Sequence, residues 1–192
     1  MMGRNKNQMK KYLAIFDLDG TLYDTRNVNY YAYKEALKTF GIEIEEEYFL
    51  KNCFGRHYKE FLPEIMNGAD DIEKVHELKI EAYLRNLDKA RVNRHLFRII
   101  QLIKDEYYIA VVTTASRRNT MDIIHHFGHE AYFDYIATQE NTERKKPDPE
   151  GFLMVMKHFG VDADKTIIYE DSEIGITAAR AAGAGVMIVD RF

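Results

Sequence analysis

Short runs of branched and apolar residues recur along this chain, each about as long as a buried β-strand. They cover residues 12–16, 109–113, 166–169 and 185–189, and a weaker run covers residues 135–138. Between these runs the apolar residues fall at helical spacing, for example at Leu96, Ile99 and Ile103. Strands that alternate with helices are typical of a parallel sheet with helices on both faces. The sequence therefore predicts an α/β fold with a doubly wound parallel sheet.

The stretch over residues 26–93 departs from this alternation. Its apolar residues follow helical spacing, as at Tyr33 and Leu37, and none of its runs predicts a strand. Well-spaced glycines divide the stretch, which favours several short helices over one long helix. We therefore predict two domains, a core built from residues 1–25 and 94–192 and a helical insertion over residues 26–93.

Charge and composition narrow the choice of partner and location. The 192 residues carry a net charge of -4 with acidic and basic side chains interleaved, so we expect neither a nucleic-acid nor a membrane partner. A small water-soluble molecule fits better. Cys53 is the only cysteine, so no disulfide can form within the chain, and no apolar run reaches the roughly 18 residues of a membrane span. We expect a cytoplasmic protein and take a monomer as its default state.

Polar residues follow the predicted strands at the edge where open parallel sheets bind ligands. The first strand leads into Asp17 to Thr21, the second into Thr113 to Ser116, and the fourth into Glu170 to Ser172. A basic loop stiffened by prolines, Arg144 to Pro149, precedes the fourth strand. Any one of these groups can be a helix cap or a turn. Together they would bring carboxylates, a hydroxyl and an ammonium to one rim of the sheet.

Such a rim suits the chemistry of phosphate esters. A phosphoryl group repels an attacking carboxylate unless a hard cation neutralises it, and the carboxylates of Asp17 and Asp171 suit Mg²⁺. Asp17 can then attack phosphorus while Lys146 and Thr114 hold the other phosphoryl oxygens. Asp19 can protonate the leaving oxygen and later take a proton from the water that opens the aspartyl phosphate.

The loop after the first strand supplies further phosphate contacts. Gly20 lets the backbone turn sharply and approach the metal and the phosphate, and Thr21 can orient the loop. We also place Ala115, beside Thr114, among the phosphate-binding residues. Arg56, in the helical insertion, is a candidate contact to the rest of the substrate.

These motifs resemble those of the haloacid dehalogenase superfamily, in the branch with a helical cap inserted after the first strand. The run Asp17 to Leu22 resembles the first motif, Thr114 the second, and Lys146 with Pro147 the third. The fourth is matched by Glu170 to Ser172, and the resemblance covers nearly the whole chain. Within this branch, the chain resembles the phosphoglycolate phosphatases and the β-phosphoglucomutases. The resemblance implies a Rossmann-like sheet with strand order 5-4-1-2-3 and a helical cap.

The resemblance also implies a ligand set for Mg²⁺. The metal would be held by the carboxylate of Asp17, the backbone carbonyl of Asp19 and the carboxylate of Asp171. Glu170 would contribute through water or would steady Lys146. Two registers stay open at this point, because Thr113 can replace Thr114 and Lys145 can replace Lys146.

Asp19 indicates which chemistry within the family the chain performs. The dehalogenases lack an acid at the corresponding place, so Asp19 points to phosphate esters. We predict a Mg²⁺-dependent phosphatase that hydrolyses a small phosphorylated metabolite through an aspartyl-phosphate intermediate. One alternative is a phosphomutase of the β-phosphoglucomutase type, which shares all four motifs. Another is a phosphorylatable receiver-like switch or a non-catalytic binding module, but such a module would have no inserted cap.

An inserted cap would exclude water and recognise the leaving group, so substrate specificity is expected within residues 26–93. Arg56 and His57 follow a glycine turn and can either contact a polar leaving group or lie in a solvated loop. Tyr30, Tyr31 and Tyr33 can stack on a sugar or a base, but aromatic residues at this spacing more often fill a core.

Overall fold

A central five-stranded parallel sheet organises the computed structural model, which describes residues 10–68, 71–190 and 192. Its strands are β1 (Tyr12–Phe16), β4 (Tyr107–Val112), β5 (Tyr135–Ala137), β6 (Thr166–Glu170) and β7 (Gly185–Ile188). Their order across the sheet is β5-β4-β1-β6-β7, all parallel. Read from the β7 edge, this is the predicted order 5-4-1-2-3. The α/β fold with a doubly wound parallel sheet is confirmed.

Helices cover both faces of the sheet because its central strand is apolar on both sides. In β1, Leu13 and Ile15 face one way and Ala14 and Phe16 the other, and all four are fully buried. The Phe16 side packs against α5 (Arg94–Ile103) and α6 (Arg117–His126). The Leu13 side packs against α7 (Glu150–Phe159) and α8 (Glu173–Ala181).

The register of the central strands brings their carboxyl ends to one edge. Phe16 of β1 is aligned with Val111 of β4 and with Tyr169 of β6. The residue that follows Phe16 therefore emerges beside the ends of both neighbouring strands. This alignment makes the predicted convergence of Asp17 with Glu170 a direct consequence of the sheet.

The described part of the inserted stretch contains four α-helices, which are α1 (Arg26–Lys38), α2 (Glu46–Asn52), α3 (Tyr58–Ile65) and α4 (Ile72–Arg85). They enclose their own apolar cluster, which includes Tyr30, Tyr33, Phe49 and Phe61. Tyr31, by contrast, is about one-third exposed at 36%. Gly41, Gly55 and Gly68 separate the helices and all have positive φ, between 72° and 83°. Within the described residues, no helix is long and apolar enough to cross a membrane.

Two short strands join the insertion to the sheet. Tyr23–Asp24 (β2) pairs antiparallel with Arg91–Val92 (β3). The prediction that residues 26–93 contain no strand is wrong for β3. A strand of two residues is too short to show an alternating pattern, so its existence depends on the partner that it meets after folding.

Candidate active site

The ammonium of Lys146 lies at the centre of the predicted site. Its Nζ is 2.6 Å from Asp17 Oδ1, 2.5 Å from Glu170 Oε1 and 3.0 Å from the carbonyl oxygen of Val112. The ammonium donates to all three, so it ties together the ends of β1, β6 and β4. Lys145 is exposed and lies outside this cluster. The structure therefore favours Lys146 over Lys145 as the phosphate-binding lysine.

Glu170 is fully buried and both of its carboxylate oxygens are engaged. One accepts from Lys146, and the other accepts from the backbone N–H groups of Asp171 and Ser172 and from the Ser172 hydroxyl, each at 3.0 Å. A Cβ at Gly175 would lie 1.9 Å from Glu170 Oε1, so the glycine leaves room for this carboxylate. Of the two predicted roles, this geometry favours the one in which Glu170 steadies Lys146.

The charges of the site are strongly coupled. Burial raises the pKa of Asp17 well above its usual range, against the opposing charge of Lys146, and Glu170 raises it further. Burial lowers the pKa of Lys146, but the carboxylates of Asp17 and Glu170 outweigh this, so the ammonium stays protonated. Burial also raises the pKa of Asp171 to about 6, with a smaller contribution from Glu170. The pKa values of Asp17 and Asp171 are therefore raised even though the ammonium of Lys146 lies beside Asp17.

The same rim has the oxygen ligands that a hard cation requires. Carboxylate oxygens of Asp17, Glu170 and Asp171 all lie within 4.8 Å of one another. Gly20 has a φ of 94°, and a Cβ there would lie 2.0 Å from Asp171 Oδ2. The glycine thus lets the first loop pack directly against this carboxylate. A set of carboxylate oxygens clustered in this way fits Mg²⁺.

Thr21 has a different position from the one predicted. Its side chain is fully buried, and its hydroxyl donates to Asp171 Oδ1 at 2.9 Å. The residue therefore orients Asp171 and has no exposed surface with which to touch a phosphate. A hydroxyl next to a glycine in a loop is compatible with either role, contact with a phosphate or orientation of a neighbouring side chain, so the sequence alone does not separate them.

Asp19 lies two residues beyond Asp17, and both residues line a cleft at this edge of the sheet. Burial raises the pKa of Asp19, while a hydrogen bond from the Thr25 hydroxyl and the charge of Lys79 oppose the rise. The Thr25 hydroxyl lies 2.5 Å from Asp19 Oδ1, just ahead of the first helix of the insertion. A carboxyl group with a raised pKa suits a general acid.

The two threonines at the end of β4 differ in exposure. Thr113 is buried, and its hydroxyl oxygen accepts from the backbone N–H of Ala115 at 3.1 Å. Thr114 is exposed and lines the cleft, as does Ala115. The structure therefore favours Thr114 as the hydroxyl that faces a bound phosphate.

A cleft of about 890 Å³ opens above these residues, between the sheet edge and the inserted helices. Its floor, at the sheet edge, includes Asp17 and Lys146. Its opposite side, formed by the inserted helices, includes Tyr33 of α1 together with Lys79 and Tyr83 of α4. Pockets that bind small molecules commonly have volumes of about 300–1,000 Å³. The cleft therefore has the size for a small phosphorylated metabolite.

Arg56 also lines the cleft, but its guanidinium is already engaged. It donates to Glu64 at 2.7 Å, lies 3.8 Å from Glu60, and donates to the carbonyl oxygen of Asn52 at 2.8 Å. These partners hold the exposed side chain on the rim of the cleft. A direct contact between Arg56 and the substrate would have to compete with them.

The fold brings to the site three side chains that belong to none of the sequence motifs, namely Thr25, His76 and Lys79. Burial lowers the pKa of Lys79 to about 8, against the charge of Asp19. Burial, with a smaller contribution from Lys79, lowers the pKa of His76 to about 4. Helical spacing places both on one side of α4, but nothing in the spacing shows that this side faces a cleft.

Comparison with known proteins identifies the family of this chain. Residues 14–189 match the family described as haloacid dehalogenase-like hydrolase. The chain is 28% identical to the phosphorylated carbohydrates phosphatase of Thermotoga maritima, over 88% of this chain and 81% of the relative. It is 27% identical to the fructose-1-phosphate phosphatase YqaB of Escherichia coli, over 88% and 91%.

A solved structure of a HAD hydrolase has a similar fold. The HAD hydrolase of family IA, variant 3, from Entamoeba histolytica superimposes with a TM-score of 0.81 at 26% identity, covering 93% of this chain and 84% of that one. The family match and the phosphatase relatives confirm the prediction of a phosphoric monoester hydrolase. The match spans most of the chain, which belongs to the haloacid dehalogenase-like hydrolases.

Proposed function

We propose that this protein is a Mg²⁺-dependent phosphatase that hydrolyses a small phosphorylated metabolite through an aspartyl phosphate at Asp17. The observation that carries the proposal is the 2.6 Å contact between Lys146 and Asp17 at the base of the cleft, beside Asp171. The contact supports roles for Asp17 as the nucleophile, Lys146 as the phosphate-binding cation and Asp171 as a metal ligand at one edge of the sheet. The sugar-phosphate phosphatases among the relatives support a small phosphate ester as substrate.

The residues at the rim fit Mg²⁺. We infer that the carboxylates of Asp17 and Asp171 and the backbone carbonyl of Asp19 would hold it. When bound, the ion supplies the positive charge that neutralises the phosphoryl oxygens and lowers the repulsion of an incoming carboxylate. Both oxygens of Glu170 already accept hydrogen bonds, so Glu170 acts on the site through Lys146.

The chain's own side chains account for both chemical steps. In the first, an Asp17 oxygen forms a bond to phosphorus while the ester bond breaks, and Asp19 gives its proton to the leaving oxygen. As Asp17 bonds to phosphorus, the Lys146 N–H that Asp17 accepted turns to a phosphoryl oxygen, and the Thr114 hydroxyl donates to another, so that the group is held in line. In the second, water forms the new bond to phosphorus, Asp17 leaves, and Asp19 takes the proton of the water.

We propose that residues 26–93 act as a cap domain above a catalytic core of residues 1–25 and 94–192. The apolar cluster on the Phe16 side of the sheet continues into Val28 of α1 and Ala82 of α4. The cap is therefore packed on the core as well as joined to it by β2 and β3. A wall built in this way excludes water from the reacting groups.

Phosphate release tests this proposal. The wild type and Asp17→Asn are compared on p-nitrophenyl phosphate and a panel of phosphorylated metabolites, with Mg²⁺ and with EDTA. Release should require Mg²⁺ and should fall by about 10³-fold or more in Asp17→Asn, because the nucleophile is lost. Asp164→Asn, an exposed aspartate far along the chain, is the matched control and should retain activity.

Release in EDTA at the rate seen with Mg²⁺, or an Asp17→Asn protein as active as the control, would contradict the proposal. Transfer of phosphate between two substrates without release would favour the phosphomutase instead.

A further inference from the structure

Lys79 is a buried cation that forms no ion pair with any residue that the structure describes. It lies on α4, its residue is only 5% exposed, and it lines the cleft. Among the residues that the structure describes, its ammonium makes no hydrogen bond and no ion pair. The Nζ atom instead lies 5.3 Å from the centre of the Tyr33 ring and 4.7 Å from that of Tyr83.

The two aromatic rings do not satisfy this group. An ammonium has three N–H donors and loses most of its hydration at this depth, and a cation–π contact returns only part of that loss. The carboxylate of Asp19 is close enough to raise the pKa of Lys79, but no hydrogen bond or ion pair joins these two described side chains. Buried lysines are rare unless they are paired. The ammonium of Lys79 is therefore available to bind an anionic group of a ligand in the cleft.

His76 lies one helical turn before Lys79 and lines the same cleft. Its ring stacks on Tyr58, with centroids 3.7 Å apart and planes 5° apart, which fixes its orientation. Its Nδ1 is buried and has no hydrogen-bond partner among the described residues. Residues three apart on a helix are neighbours, so the imidazole can donate to a group held by Lys79.

The other cations on this side of the cleft are already paired. Arg56 is bound to Glu64 at 2.7 Å, and Lys59 is bound to Glu73 at 2.9 Å. Both pairs are exposed at the rim. Lys79 lies deeper, near the carboxyl group that protonates the leaving oxygen. An anion at Lys79 would therefore belong to the leaving group, close to its ester oxygen.

We infer that Lys79, assisted by His76, binds an acidic group of the leaving group, either a carboxylate or a second phosphoryl group. The inference rests on the proposed phosphatase activity, because only that reaction defines which part of the substrate is the leaving group. It assigns Lys79 a role in specificity. The substrate is then a phosphate ester whose alcohol carries a negative charge near the ester oxygen.

Equilibrium binding tests the inference without turnover. The Asp17→Asn protein is titrated in Mg²⁺ with two acidic ligands, 2-phosphoglycolate and ethylene glycol bisphosphate, whose leaving groups are charged. It is also titrated with 2-hydroxyethyl phosphate, called the neutral ligand because its leaving group is uncharged. At least one acidic ligand should bind about 10- to 100-fold more tightly than the neutral one, the range expected for a hydrogen bond between charged groups. The acidic ligand that binds more tightly distinguishes a carboxylate from a second phosphoryl group.

Variants at Lys79 then assign the preference. In the Asp17→Asn background, Lys79→Met should abolish it, and Lys79→Arg should retain most of it. Lys74→Met is the matched control, because Lys74 is an exposed lysine of the same helix, bound to Glu77 at 2.9 Å, and it does not line the cleft. The control should keep the full preference.

Equal affinity for acidic and neutral ligands in the parent protein overturns the inference, even if Lys79→Met does not fold. A preference that survives in Lys79→Met overturns it as well. Turnover by the wild type is scored separately. Phosphate release without a preference for acidic ligands leaves the phosphatase intact and removes the subsite. A preference that depends on Lys79, without any phosphate release, keeps the subsite and refutes the phosphatase.

Discussion

Replacing Glu170 by glutamine tests whether the buried ion cluster holds this site together. The carboxylate is fully buried, lies 2.5 Å from Lys146 Nζ, and accepts from the N–H groups of Asp171 and Ser172. Glutamine has the same shape but no charge, and its NH₂ group must face either the ammonium or these N–H donors. The substitution therefore sets donor against donor in a site that excludes water.

The structure sets the size of the effect. Breaking a buried ion pair costs about 3–5 kcal/mol, but Lys146 keeps its bonds to Asp17 and to the Val112 carbonyl. We therefore expect Glu170→Gln to lose about 3 kcal/mol of unfolding free energy. For a chain of this size each kcal/mol shifts Tm by roughly 2–4 °C, so Tm should fall by about 6–12 °C.

Thermal and urea unfolding, followed by circular dichroism in EDTA, measure this loss without a contribution from bound metal. Glu173→Gln is the control, because Glu173 is exposed in the first turn of α8 and should change stability by no more than about 0.5 kcal/mol. Phosphate release should also fall in Glu170→Gln, since Lys146 loses one of its supports. If Glu170→Gln is as stable as its control, Glu170 does not stabilise the cluster.

Two further predictions concern Asp24, just ahead of the insertion, and His76 within it. The bonds from Arg26 and Arg91 hold the pKa of Asp24 well below its usual range, so the stability that they add is present above about pH 4 and is lost as the pH falls further. Asp24→Asn should therefore lower the unfolding free energy at pH 7 by about 1–2 kcal/mol, and an unchanged urea midpoint would contradict this. For His76, burial lowers the folded pKa to about 4, so the unfolded chain takes up the proton first as the pH falls. The wild type should lose about 1 kcal/mol more than His76→Phe between about pH 7 and pH 5.5, and equal losses in urea unfolding would refute this.

The sheet and the reactive rim could be predicted because their signals are local. A run such as Tyr12–Phe16 is apolar on both faces, which requires a strand covered on both sides. Parallel strands end at one edge, so Asp17 and Asp171 could be placed together without knowing how the helices pack. The position of a residue at a strand end was enough to predict its neighbours there.

The registers and the roles of single side chains could not be predicted in this way. Thr113 and Thr114 are adjacent, and only the packed loop shows that Thr114 is the exposed one. Thr21 looked like a phosphate contact, but in the fold it is buried against Asp171. Such differences depend on which atoms of distant segments fill the space around a side chain.

The sequence by itself therefore determined the fold class and the enzyme class, because periodicity and short motifs are set by neighbouring residues. Only the tertiary structure decided which groups are buried without partners. Lys79 belongs to a helix whose spacing is compatible with a solvated face, yet the packing of α4 above the sheet buries its ammonium in the cleft. The energy of a charge depends on its surroundings after folding, and those come from segments far apart in the chain.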